Sequence, residues 1–293
     1  MPVFLDQLKK ELTYPMAWGN SPVKNFKKWR KQARATVLDA MLAPPPYTTK
    51  YETEILAEEQ REGYRAKKLC FNLTGYSRVN AYVLIPDGEG PFPAVVLLHD
   101  HGGHYTIGKE KMIRPFGVDK AVLDDADAWA ANCYGGQYAG DYLAAHGYVV
   151  ISVDALYWGE RGRKEGADGS KYADNAGNFM MLGRSLSAFM NYEDMYTTDY
   201  LATLPEVDPK RIACMGFSMG GYRAWMLSAL SDKIQVGAAI CWMTTTDCQF
   251  SWEYGRERGG FANMLPGIRR YLDYPHIASI ACPKPMLFLN GEH

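Results

Sequence analysis

Strong charge of either sign is absent from this sequence: 32 Lys and Arg stand against 33 Asp and Glu over 293 residues, a net of −1. Without a basic stripe to gather phosphates, nucleic acid and anionic membrane are excluded as partners. No apolar run reaches 18 residues, and the opening MPVFLDQLKKELTYP lacks the apolar core and small-residue cleavage site of a signal peptide. A membrane span and secretion are therefore not expected, and a cytoplasmic location is. C-x-x-C pairs are missing as well. The six cysteines (Cys70, Cys133, Cys214, Cys241, Cys248, Cys282) are scattered, three of them in or beside apolar runs, and read as reduced core residues.

What is plentiful is apolar material, 47% of residues, enough for one large α/β core. Residues 23–42 place Phe26, Trp29, Ala33, Val37 and Met41 at helical spacing, and Pro44-Pro45-Pro46 ends that helix. Tyr51 to Gln60 is polar enough to be a surface connection. From there the chain alternates. Strands are expected at 65–73, 80–85, 94–98, 148–154, 212–217, 236–243 and 285–290, with helical patterns at 137–146, 179–204 and from 219. The segments 106–136, 155–178 and 249–275 show no clear period. This order predicts a doubly wound, mostly parallel sheet in a domain spanning 65–293, preceded by a helical extension over 1–64.

The most informative stretch is RIACMGFSMGGYRAWMLSAL, 211–230. Gly216-Phe217-Ser218-Met219-Gly220 is a G-x-S-x-G pattern set between an apolar strand and a helix. A serine on so tight a turn presents its hydroxyl at the carboxyl end of the sheet, beside the N–H groups that open the following helix. The plainer alternative is a helix-capping serine in a glycine-rich turn. Ahead of it, Ala94 to Leu98 runs into His99-Asp100-His101-Gly102-Gly103. That loop is the natural source of a second oxyanion donor, a main-chain N–H near His101, the first coming from Met219. His99, His101 and His104 could suggest zinc, but they share no helical face and no carboxylate cluster accompanies them, so no metal is expected. The loop after the fourth expected strand offers Trp158, Glu160 and Arg161 as substrate-pocket residues; the competing readings are a local ion pair pinning that loop for Glu160 and Arg161, and filling of the core under a long loop for Trp158.

Together, LLHDHGGH (97–104), VDALYWGERGR (153–163), DYLATLPEVDPKRIACMGFSMGG (199–221) and PKPMLFLNGE (283–292) resemble the α/β-hydrolase superfamily. Within it the chain is most similar to the dienelactone hydrolase and acetyl xylan esterase-like group. The resemblance implies a serine carboxylic-ester hydrolase of small esters, acetylated sugars among them. It also implies Ser218 as nucleophile, Met219 and the His101 region as oxyanion hole, and no cofactor. Dienelactone hydrolases proper carry cysteine where this chain has Ser218. In related esterases the acid follows three residues after a glycine corresponding to Gly291, one position past His293, and the histidine lies farther on. The expectation is thus of a sheet lacking its last strand and helix, an exposed edge at Met286 to Leu289 through which copies could associate, and a truncated site. Two alternatives compete: Asp247 as acid with His293 or His276 as base, or a non-catalytic descendant that keeps the fold for binding. A serine peptidase is the runner-up chemistry, although 64 residues before the first expected strand are few for a substrate-gating domain.

Overall fold

The computed structural model describes residues 3–162, 169–251 and 260–291. Two helices come first, α1 (Val3–Lys10) and α2 (Phe26–Ala40). Asn25 caps α2 by accepting from Lys28 N, and Trp29, Ala33 and Val37, spaced four apart, form its buried stripe. That stripe packs on the helix that follows Ser218.

Eight strands then build one sheet: β1 (Glu54–Arg61), β2 (Tyr64–Asn72), β3 (Arg78–Pro86), β4 (Phe92–Leu98), β5 (Val149–Val153), β6 (Val207–Phe217), β7 (Ile234–Ile240) and β8 (Met286–Leu289). Their order is β1-β2-β3-β5-β4-β6-β7-β8. The first three are antiparallel, and β5, β4, β6, β7 and β8 run parallel. The expected doubly wound, mostly parallel architecture is present. It has one strand more than the seven read from the sequence, because 54–61, taken there as a surface connection, is β1. Its residues are exposed or at most half-buried, so an edge strand of this kind carries little hydrophobic signal. The sheet consequently begins at Glu54, ahead of the expected boundary at 65. At the other edge Leu287, Phe288 and Leu289 of β8 are 52%, 39% and 48% exposed, which leaves an apolar strand edge open among the described residues.

Helices cover both faces. These are α3 (Lys120–Cys133), α4 (Ala139–Ala145), α5 (Gly169–Met181), α6 (Leu186–Leu201), α7 (Met219–Leu230), α8 (Thr246–Gln249) and α9 (Tyr274–Ala278). The central strands alternate between the two faces. Ala94, Val96 and Leu98 of β4 pack with Tyr196 and Tyr200 of α6 and Leu227 of α7, whereas Val95 and Leu97 pack with Met112, Ile113 and Ala144. Helices α3 and α5 occupy segments expected to be irregular, and the pattern over 179–204, which suits one long helix or two, falls to the end of α5 and to α6. Of the six cysteines, all free, Cys214 alone is buried; Cys241, Cys248 and Cys282 are exposed, so the reading of all six as core residues holds for one.

Chain direction fixes where the loops open. From β4 the chain runs outward to β5, returns across to β6 and continues the opposite way to β7. The connections that leave β4 and β6 therefore diverge, and the crevice at their carboxyl ends is the place where open α/β sheets bind ligands. Leu98 stands opposite Gly216 in the register, so residues 99–104 and Ser218 leave the sheet side by side.

Candidate active site

Ser218 sits between β6 and α7 at φ 54°, ψ −119°. Few L-residues other than glycine tolerate that region; holding one there costs about 1–3 kcal/mol. Its own N–H donates to Ile240 O (2.8 Å) and its carbonyl accepts from Tyr222 N (3.1 Å). It occupies the N-cap position of α7, yet its side chain makes no capping hydrogen bond. A serine present only to cap would use its oxygen on those first amides. The capping alternative is therefore not realised here, and among the described residues the hydroxyl makes no hydrogen bond beside the first amides of α7.

The glycines explain how such a corner closes. A Cβ on Gly216 would stand 2.2 Å from Gly220 O, one on Gly220 would stand 1.8 Å from Leu98 O, and one on Gly221 would stand 2.6 Å from Ile240 O. Each obstacle is main chain, which no rotamer change removes. Glycine at 220 is what lets α7 start against the end of β4.

Met219 is buried in an aromatic cluster with Tyr105, Tyr157, Trp158, Tyr172 and Leu186. Trp158 is fully buried and donates Nε1–H to the main-chain oxygen of His101 (3.3 Å). Of its two readings, substrate contact and core filling under a long loop, the second is the one realised: it supports the His101 loop from beneath. The His101 ring lies edge-on to Trp158 and Tyr172, and its Nδ1 accepts from Gly103 N (3.0 Å).

Glu160 and Arg161 do pin the loop, but not to each other. Arg161 makes a two-pronged bond to Glu193 of α6 (2.7 Å each) and donates to Asp154 O (3.2 Å). Glu160 accepts from Lys109 Nζ (2.6 Å) and Lys68 Nζ (2.8 Å). Burial alone would lift the Glu160 carboxyl; the two ammonium groups outweigh it and hold it down at about 2. Arg161, largely buried and spent on these partners, is corrected as a substrate contact, whereas the Glu160 side chain stays 38% exposed while bonded to both lysines. Asp154, Glu110 and Glu160 bring three carboxylates within 4.8 Å of one another. The space between them holds the Lys109 ammonium, at 2.9, 2.7 and 2.6 Å respectively. Burial works against that ammonium, but the surrounding carboxylates raise its pKa well above the usual lysine range.

The remaining histidines are committed elsewhere. His99 is fully buried, its Nδ1 on Asp100 O (2.8 Å) and its Nε2 accepting from Ala155 N (2.9 Å). Burial, with Arg223 and Lys111 nearby, pushes its pKa well below the usual range and keeps the ring neutral. His104 bonds Asp125 (2.7 Å) and stacks on Trp129. His276 closes a capping box at α9, its Nδ1 accepting from Asp273 N (3.1 Å). Asp247 is 84% exposed and paired with Lys9 at 3.0 Å. Among the described residues no hydrogen bond joins Asp247 to a histidine, or any histidine to Ser218. The pairing of Asp247 with His276 is therefore not formed, and His293 lies outside the described residues.

Sequence reasoning missed the buried ion pairs. Besides Arg161–Glu193, Arg223 of α7 binds Asp194 of α6 through Nε (2.9 Å) and Nη2 (2.5 Å). Adjacent acids on α6 thus tie it to the loop after β5 and to the helix after Ser218.

A strained serine at a glycine-lined turn, at the carboxyl end of a parallel sheet, defines an α/β hydrolase. The chain belongs to the Abhydrolase family, which it matches over residues 3–293. It is 29% identical over 261 residues to the candidate hydrolase YtaP of Bacillus subtilis (strain 168), covering 89% of this chain and 80% of that protein. Among solved structures it resembles a candidate acetyl xylan esterase from Bacteroides fragilis NCTC 9343, with TM-score 0.78, 22% identity and coverage of 97% and 73% of the two chains. A glucuronoyl esterase from Solibacter usitatus shares the fold at TM-score 0.55 and 15% identity, over 90% of this chain and 74% of its own.

Proposed function

We propose that the chain is a serine carboxylic-ester hydrolase that works through an acyl-enzyme on a small ester. The observation that carries this reading is Ser218, held in a strained conformation with its hydroxyl left out of helix capping. Ser218 attacks the ester carbonyl, and the tetrahedral oxyanion is met by main-chain N–H groups at Met219 and in the loop at His101. The C–O bond to the alcohol breaks, the leaving oxygen takes up a proton, and water then releases the acid. For the base that takes the Ser218 proton, His293 is the candidate offered by the sequence. For substrate, the acetyl xylan and glucuronoyl esterases that share the fold suggest an esterified sugar.

The test is hydrolysis of p-nitrophenyl acetate by the chain and by Ser218→Ala. Turnover is expected to fall by about 10³-fold or more. An unchanged rate would remove Ser218 from the reaction.

A further inference from the structure

Lys111 ends a single turn of 3-10 helix, Lys109–Lys111, in a segment read from sequence as irregular, and its side chain is fully buried. Its ammonium bonds three main-chain oxygens of one loop: Asp100 O (3.2 Å), His101 O (3.3 Å) and His104 O (2.9 Å). It also reaches the Asp100 carboxylate at Oδ1 (3.3 Å). With three N–H donors for four acceptors, every proton of the ammonium is used on this loop. The other carboxylate oxygen of Asp100 accepts from Tyr134 OH (2.7 Å) and Trp129 Nε1 (3.2 Å), and the ammonium lies 4.8 Å from the centre of the Trp129 ring. Gly102, at φ +58°, completes the wrap: a Cβ there would meet the Trp129 ring at 2.4 Å.

A trans peptide unit is planar and sets its oxygen and its hydrogen on opposite sides. The peptide whose oxygen is Asp100 O carries the N–H of His101, and the one whose oxygen is His101 O carries the N–H of Gly102. With both oxygens turned to the ammonium, both N–H groups are directed away from it. They do so on the loop that leaves β4 alongside Ser218. Trp158, bonded to the same His101 oxygen, holds that peptide in the same sense.

From this geometry we infer that Lys111 is a positioning residue of the oxyanion hole, fixing the direction of the His101 and Gly102 N–H groups. The inference rests on the ester-hydrolase reading above and adds to it a residue that touches neither substrate nor Ser218. A buried lysine used only for stability could bond any carbonyls within reach. This one gathers those of the single loop whose amides the reaction needs.

The experiment compares the wild type, Lys111→Met and Ser218→Ala in p-nitrophenyl acetate hydrolysis, with binding of an alkyl boronic acid as a tetrahedral probe. Lys111→Met keeps the length of the chain but none of the donors. It is expected to lower kcat by about 10²-fold, the scale of one misplaced or missing oxyanion donor, with KM within a factor of three. Boronate affinity should fall by a similar factor. A purely structural role would lower melting temperature while leaving kcat of the folded fraction and boronate affinity unchanged, and that result overturns the inference. Should Lys111→Met fail to fold, Lys111→Gln, which retains an amide donor, is expected to show an intermediate kcat; a wild-type kcat there overturns it equally. Loss of the underlying reading looks different, because wild-type turnover would then survive Ser218→Ala.

Discussion

Ser218→Gly is expected to abolish ester turnover and to raise stability. At φ 54° and ψ −119° a residue with a Cβ pays about 1–3 kcal/mol, whereas glycine occupies such regions without that strain. Against this, glycine adds unfolded-chain entropy worth about 0.5–1 kcal/mol. The net gain should be about 1 kcal/mol, or a melting temperature higher by about 2–4 °C for a chain of this size. Ser218→Ala is the control. It removes the same hydroxyl but keeps the Cβ, so it should lose turnover with no comparable gain. A Ser218→Gly variant that melts below Ser218→Ala would show that the corner stores no strain. The site would then owe its geometry to packing alone.

Asp194→Asn carries the largest expected loss of stability. Asp194 and Arg223 are 3% and 2% exposed, and the guanidinium is already short of one partner at Nη1. Neutralising the acid leaves a buried cation without its counter-charge, a change that costs about 3–5 kcal/mol. At about 2–4 °C per kcal/mol, the melting temperature should drop by roughly 10 °C. The pair need not be favourable in itself, since desolvating two charges offsets most of their attraction. Asp194→Leu combined with Arg223→Met is therefore expected to recover most of the loss. Urea denaturation of the two single variants and the double variant reads this directly. A single-variant loss below about 0.5 kcal/mol would mean that water reaches the guanidinium and the charge is not isolated.

The elbow was legible because every element of it is local. Ser218 and the glycines that admit it lie within six residues, and the strand before and helix after announce themselves by period. Central strands were legible for a related reason: Ala94 to Leu98 and Val149 to Val153 are covered on both faces, so their apolar runs are continuous. Strand β1 was not, because an edge strand keeps polar residues on both faces. Helix α3 buries only Ala126 and Ala130, side chains too small to mark a period. The charged residues were hardest. Hydropathy places Lys109, Lys111 and Arg223 outside, and their burial depends on partners that the fold alone brings near. Asp154, for instance, is 45 residues from Lys109. Trp158 left two readings open, since an aromatic in a glycine-rich loop can serve as floor as readily as binding surface.

The central claim is that Ser218 is an activated nucleophile, and covalent capture tests it most directly. The chain would be incubated with a fluorophosphonate, digested and read by mass spectrometry, beside Ser218→Ala. The account predicts one phosphonyl adduct per chain on the peptide containing Ser218, and none in the variant. A folded chain that takes no adduct, or takes it at another residue, would contradict the account.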